Sequence, residues 1–217
     1  NNGTSTGFIN KTFSRGDIVK LYHGTNYSSA VSICSNGIDL RYSKPYLDFG
    51  PGFYATPSYH HAALTAVRRT DKINQWNRRK QKDYKFEEPY IVQFEYIPLP
   101  ELELKLIAFP RHGAEWGAFV LNNRLTSEIL SQYGIENHNQ DCRYDICIGE
   151  IADGTIVNIA YQVNSGILLP KNVNYEKFLK KNDESYGQQY SFHSKKSISC
   201  IIGLSCDIIK NKERYIK

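Results

Sequence analysis

Along the chain, short runs that alternate apolar and polar residues are interleaved with stretches of helical spacing, and the two periods mark out the predicted elements. Residues 1–16 carry little hydrophobic period and are rich in Asn, Gly, Ser and Thr, which reads as a flexible N-terminal arm. A first strand spans 18–22 and ends on His23-Gly24-Thr25. Ala30, Ile33 and Cys34 then share one helical face, with Ser28 or Ser29 as the N-cap and Gly37 as the stop. A Tyr-rich loop at 41–47 and a Gly/Pro cluster at 48–52 lead into a strand at 53–56. Pro57 and Ser58 start a second helix that buries Ala62, Ala63, Ala66 and Val67. Alternation marks a strand at 91–96, and 102–109 reads as another; Trp116, Phe119 and Val120 fall on one face of a helix over 114–122. Residues 144–148 and 156–160 read as paired central strands joined by a hairpin turn at Asp153-Gly154. A short helix at 175–180, strands at 189–192 and 198–204, and a basic tail at 210–217 complete the chain. The expected fold class is α+β, an antiparallel-rich mixed β-sheet with a few flanking helices, in a single domain over 17–209.

Composition narrows this picture. At 217 residues and 41% hydrophobic content, one domain with a full core is the default. Five cysteines without a Cys-x-x-Cys pair point to neither a disulfide framework nor a metal site, and Cys147 lies inside an apolar strand pattern as a core thiol. No metal is expected. No apolar stretch approaches the ~18 residues of a membrane span, so no membrane partner is expected. The net charge of +5 is concentrated in residues 68–85, where eight basic residues stand against two acids. Arg68, Arg69, Arg78, Arg79 and Lys80, with Trp76 among them, are candidate nucleic-acid contacts, phosphate-binding cations beside a stacking face.

Three motifs carry the candidate chemistry. His23-Gly24-Thr25 follows an aromatic; Gly50-Pro51-Gly52-Phe53-Tyr54-Ala55-Thr56 follows an apolar lead-in; and Gln189-Tyr190-Ser191-Phe192 alternates like a half-buried strand. Each of the first two sets a polar or aromatic side chain beside glycine, which lets another molecule approach the backbone. In this order the motifs resemble the ADP-ribosyltransferase superfamily, the fold of diphtheria-type toxins and poly(ADP-ribose) polymerases. Within it the chain is most similar to a bacterial-type branch that bears the label DUF3990. The resemblance covers roughly residues 19–204 and implies an ADP-ribosyltransferase-like split sheet.

The resemblance also implies a site and a substrate. Breaking the bond between nicotinamide and ribose in NAD⁺ passes through a cation-like sugar, so the site must hold the ribose, grip the carboxamide and offer strong acceptors. His23 would bond a ribose hydroxyl on the adenosine side, Gly24 would meet the carboxamide with its backbone, Thr25 would add a hydroxyl near the diphosphate or ribose, and Tyr54 would stack on the nicotinamide ring. Gly52, Phe53, Thr56 and Tyr190 would complete the NAD⁺ site. Gln189 stands where related enzymes keep a catalytic glutamate, so His23, Tyr54 and Gln189 form the expected catalytic set. Glutamine holds a hydroxyl but brings no charge; Asp48 and Glu150 are the alternative carboxylates. A helix aromatic expected near Thr65 is also missing, with Tyr59, His60 and His61 nearby.

The implied activity is mono-ADP-ribosyl transfer from NAD⁺ to a macromolecular acceptor, with nucleic acid favoured over protein because of the basic run. The chain would act as a toxin, effector or defence enzyme, in the cytoplasm or, if secreted, in a host cytosol, and an antitoxin or inhibitor protein would be a natural partner. The alternatives are an NAD⁺ glycohydrolase and a catalytically inactive module that binds NAD⁺ or nucleic acid.

Overall fold

The protein is described from a computed structural model, which covers residues 17–80, 85–110, 113–152, 154–175 and 187–215. The expectations for 1–16, and for a helix over 176–180, fall outside these residues.

Two sheets form the frame. Strand β1 (Val19–Asn26) pairs antiparallel with β3 (Pro89–Tyr96), which pairs antiparallel with β7 (Ile201–Ile208). In the second sheet the order is β2-β6-β5-β4: β2 (Phe53–Ala55) and β5 (Ile146–Glu150) lie antiparallel on either side of β6 (Gln188–Phe192), and β4 (Leu106–Ala108) runs parallel to β5. The β4-to-β5 crossover is long enough for a parallel pair because it contains two helices, α3 (Ala114–Arg124) and α4 (Ser127–Tyr133). The sheets meet at one bridge, where Tyr22 and Thr56 exchange backbone hydrogen bonds of 2.9 and 3.0 Å.

Side-chain alternation turns this frame into layers. Leu21, Val92, Phe94 and Tyr96 from the first sheet pack against Ala55, Ile146, Ile148, Tyr190 and Phe192 from the second, and Ala30 of helix α1 (Tyr27–Asn36) joins them. The opposite face of the first sheet is covered by α2 (Tyr59–Lys80), through Ala62, Ala63, Ala66 and Val67 against Ile91 and Ile209. The outer face of the second sheet is covered by α3 and α5 (Gly154–Asn164), where Phe49, Trp116, Phe119, Cys147 and Ile156 cluster. A four-residue helix, α6 (Lys195–Ile198), turns the chain from β6 into β7 and is closed by a capping box at Ser194.

The class is α+β with antiparallel-rich sheets, as the pattern predicts, but one pairing is corrected. Residues 156–160 are not a strand paired with 144–148; they belong to α5. Ile156, Ala160 and Val163 are its buried positions, spaced by four and three, so the run of branched residues is the apolar face of a helix. The antiparallel neighbour of β5 is β6 instead. Two expected strands are shorter. In 102–109 only Leu106–Ala108 pairs, and the run at 198–204 becomes a strand from Ile201 onward. Tyr215, in the basic tail, packs its ring 5.5 Å from His60.

Candidate functional site

The three motifs arrive at the seam between the sheets. On β1, Leu21, His23 and Thr25 face the inter-sheet core, while Tyr22 and Gly24 face α2. His23 is half-buried; its ring lies 4.5 Å from Phe53, and Nδ1 is 2.6 Å from the Tyr54 carbonyl oxygen. A carbonyl accepts, so Nδ1 carries the proton and Nε2 is left as an acceptor. Burial lowers the His23 pKa to about 4, opposed by the bond to Tyr54 and assisted by the charge of Arg69. The imidazole is therefore neutral near pH 7.

Gly24 has two consequences. A side chain is excluded, because a Cβ there would lie 1.8 Å from the Ala62 carbonyl oxygen of α2. Its backbone groups point to the same side of β1 as those of Tyr22, away from β3. Tyr22 spends that side on Thr56, and β1 has no other strand alongside it there among the described residues. Thr25 is fully buried, with its hydroxyl 3.4 Å from Asn26 Oδ1.

Tyr54 projects from β2 on the face opposite Phe53. Its hydroxyl donates to the Gly50 carbonyl (2.6 Å) and accepts the Phe49 N–H (2.9 Å), so the phenol pins the 48–52 turn. Gly50 takes a left-handed φ of 84°, and a Cβ there would strike the Asn139 carbonyl at 2.3 Å. Burial, then the nearby Asp48 charge, hold the Tyr54 hydroxyl well above its ordinary pKa. Gly52 lies against His193; a Cβ there would be 2.6 Å from the imidazole. Thr56 donates from its hydroxyl to the Gln188 carbonyl (2.8 Å) and accepts from Ser58 N–H, tying β2, β6 and the entry to α2 together.

On β6, Gln189 shares a face with Ser191, opposite the face of Tyr190 and Phe192. Gln189 Nε2 donates to Asp48 Oδ2 at 2.9 Å and to the Glu150 carbonyl at 3.3 Å. The other Asp48 oxygen is held by Arg124 Nε and a terminal nitrogen at 2.7 and 2.6 Å. Asp48 and Gln189 are both buried, so this is a charge-assisted network inside the protein. With its nitrogen committed, the glutamine presents Oε1 as its remaining acceptor. Tyr190 lies in the inter-sheet core, 6.3 Å from Tyr96, and does not share the Gln189 face.

His23, Tyr54 and Gln189 are thus joined through β2 and the 48–52 turn, with the His23 ring on one side of β2 and the other two side chains on the other. Between α2 and the 41–47 loop lies a cavity of about 420 Å³, lined by Lys44, Thr65, Arg68, Arg69, Lys72 and Ile73, whose Arg69 is near enough to His23 for its charge to lower the imidazole pKa. It contains four cations, and among the described residues none of them is in an ion pair. Thr65, the position expected to be aromatic, lines this cavity. Tyr59 instead packs edge-on against Tyr22 at 5.5 Å, and His60 lies against Tyr215. The Asp48–Arg124 pair is not readable from sequence, since 75 residues separate its members and Arg124 sits in no motif.

Fold and site define an α+β protein whose two antiparallel-rich sheets share an apolar core, with a buried Asp48–Arg124–Gln189 network on the far face of the second sheet and a cationic cavity against α2. The chain belongs to the family described as "Protein of unknown function (DUF3990)", whose model matches residues 19–202, from the start of β1 into β7. No curated protein sequence and no solved structure matches it. Among the described residues, no helix is long and apolar enough to cross a membrane.

Proposed function

We propose that the protein is a mono-ADP-ribosyltransferase, transferring ADP-ribose from NAD⁺ to a macromolecular acceptor. The observation that carries this reading is the Gln189–Asp48–Arg124 network, tied to Tyr54 through the 48–52 turn. It answers the main objection from sequence, the lack of a glutamate at 189. Nε2–H of Gln189 is bound by the Asp48 carboxylate, so Oε1 is polarised and aimed as an acceptor for a ribose hydroxyl. Asp48 itself brings a carboxylate within one side chain of the sugar.

In this reading the Gly24 N–H and C=O take the carboxamide of nicotinamide, and the half-buried Tyr54 ring offers the stacking face. His23 Nε2 accepts a hydrogen bond from a hydroxyl of the adenosine-side ribose, which a neutral imidazole can do. The cavity cations Lys44, Arg68 and Arg69 receive the diphosphate. The bond between ribose C1′ and the nicotinamide nitrogen breaks, and nicotinamide leaves with the bonding pair and its ring charge neutralised. The positive charge that develops on the sugar is stabilised by Gln189 Oε1 and the Asp48 field. A nucleophile of the acceptor then bonds to C1′ and releases a proton to water. Thr25 and Tyr190, which are closed in the core, have no part.

The test is incubation with NAD⁺ labelled in the adenine, in separate pools of RNA, DNA and protein. The expected result is label in one pool with an equal release of nicotinamide. Asp48→Asn and Gln189→Ala should each reduce turnover by roughly 10²-fold while changing NAD⁺ affinity far less, as for contacts that tighten in the transition state. Nicotinamide release with no label in any pool would reassign the activity to hydrolysis; no release would remove it.

A further inference from the structure

Beyond the cavity, α2 continues outward for two more turns, and its exposed face has a pattern the NAD⁺ site does not use. Lys72, Trp76, Arg79 and Lys80 are spaced by four, three and one, which places them on one stripe of the helix. The buried residues Ala63, Ala66, Val67, Thr70 and Asn74 occupy another face. Asp71, the acid within the described part of the basic run, is turned about 100° from Lys72 on the side away from Trp76. Trp76 is 62% exposed, and the Lys80 ammonium lies 5.1 Å from its ring centroid. Among the described residues this indole is little covered, and Lys72, Arg79 and Lys80 are its cationic neighbours on the helix. From Thr65 in the cavity to Lys80 the helix rises about 22 Å at 1.5 Å per residue. A dinucleotide diphosphate carries two negative charges and reaches only the inner end of that length.

We propose that this stripe of α2 is the track along which a single-stranded nucleic acid acceptor enters, with Trp76 stacking on a base and Lys72, Arg79 and Lys80 contacting phosphates on either side. The inference rests on the transferase reading for its purpose and names that reaction's acceptor. Single strands fit because a lone exposed ring flanked by cations binds an unpaired base by stacking and the backbone by charge, without need of a groove. The outward direction of α2 from Gly24 places the strand's inner end beside the cavity, on the diphosphate side of the reacting sugar.

Binding is read by fluorescence anisotropy of a labelled 12-nucleotide single strand, without NAD⁺, at several salt concentrations. Single strands should bind more tightly than a duplex or a polyglutamate of the same length. Trp76→Ala should weaken binding about tenfold, as expected for one lost base stack. Lys72→Gln with Arg79→Gln should reduce the slope of log K against log salt by about 1.4, at ~0.7 per phosphate contact to a single strand. These residues are exposed, so thermal melting of each variant should match the parent. No binding at low salt, equal binding of polyglutamate, or indifference to Trp76→Ala overturns the track. Nicotinamide release is scored separately: a protein that binds strands by these rules but releases none keeps the track and loses the transferase, and the converse result does the reverse.

Discussion

At the scale of single residues, the site depends on side chains held in one protonation state by burial. His23 and His193 both have pKa values lowered to about 4, in each case first by burial and against a bond to a backbone carbonyl, Tyr54 for one and Pro51 for the other. In the unfolded chain a histidine titrates near its ordinary ~6.5. Above that value neither state is charged and the contribution to stability is complete. As pH falls from 6.5 towards 4 the unfolded chain takes up protons that the folded one refuses, and stability is lost. At 1.36 kcal/mol per pKa unit this amounts to roughly 3 kcal/mol per histidine. His193→Gln should therefore lose about 2–3 kcal/mol less stability than the parent between pH 7 and pH 4.5. Urea midpoints at the two pH values check it, and parallel losses in the two proteins would contradict it. The pairing that aims Gln189 is also a matter of single residues, and the sequence leaves its geometry hidden. Asp48 is recognisable as a candidate carboxylate because it opens a Gly/Pro turn, but nothing in Arg124 announces a partner 76 residues away.

At the scale of elements, the seating of α2 on β1 matters most. The small residues Ala62, Ala63 and Ala66 let the helix backbone approach Gly24 so closely that even a methyl group is excluded: Ala62 O and Ala66 N would be 1.8 and 2.8 Å from it. Both atoms are backbone, so relief requires the helix to shift as a body. Gly24→Ala should cost about 3 kcal/mol, at the upper end for overpacking, and should be seen as a lower thermal midpoint. An unchanged midpoint would mean that α2 sits further from β1 than described. This seating was legible in part, since the alanine spacing shows a helix with a small-residue face and His-Gly-Thr shows a glycine with a purpose. Its double use, for helix contact on one side and an open backbone edge on the other, depends on which strand is adjacent. The α5 segment was misread for a related reason. Ile156, Val157 and Ile159 favour a strand locally, but Ile156, Ala160 and Val163 close over the Phe49–Trp116 and Leu121–Leu125 clusters only as a helix.

At the scale of the whole molecule, the two sheets and the helices outside them make four layers, and motifs remote in sequence meet where the sheets touch, at Tyr22 and Thr56. The α+β class and most strand positions follow from the periodicity. The split into two sheets does not, because strand order is set by packing between distant segments rather than by local pattern. The central claim is that this seam, with the cavity beside it, accepts NAD⁺. A crystal grown with NAD⁺ or a nicotinamide-bearing analogue tests it most directly. The account predicts a carboxamide on the Gly24 backbone, the nicotinamide-side ribose within hydrogen-bond reach of Gln189 Oε1, the adenosine-side ribose within reach of His23 Nε2, and the diphosphate among Lys44, Arg68 and Arg69. Ligand bound elsewhere, or a seam that remains empty at millimolar ligand, would contradict it.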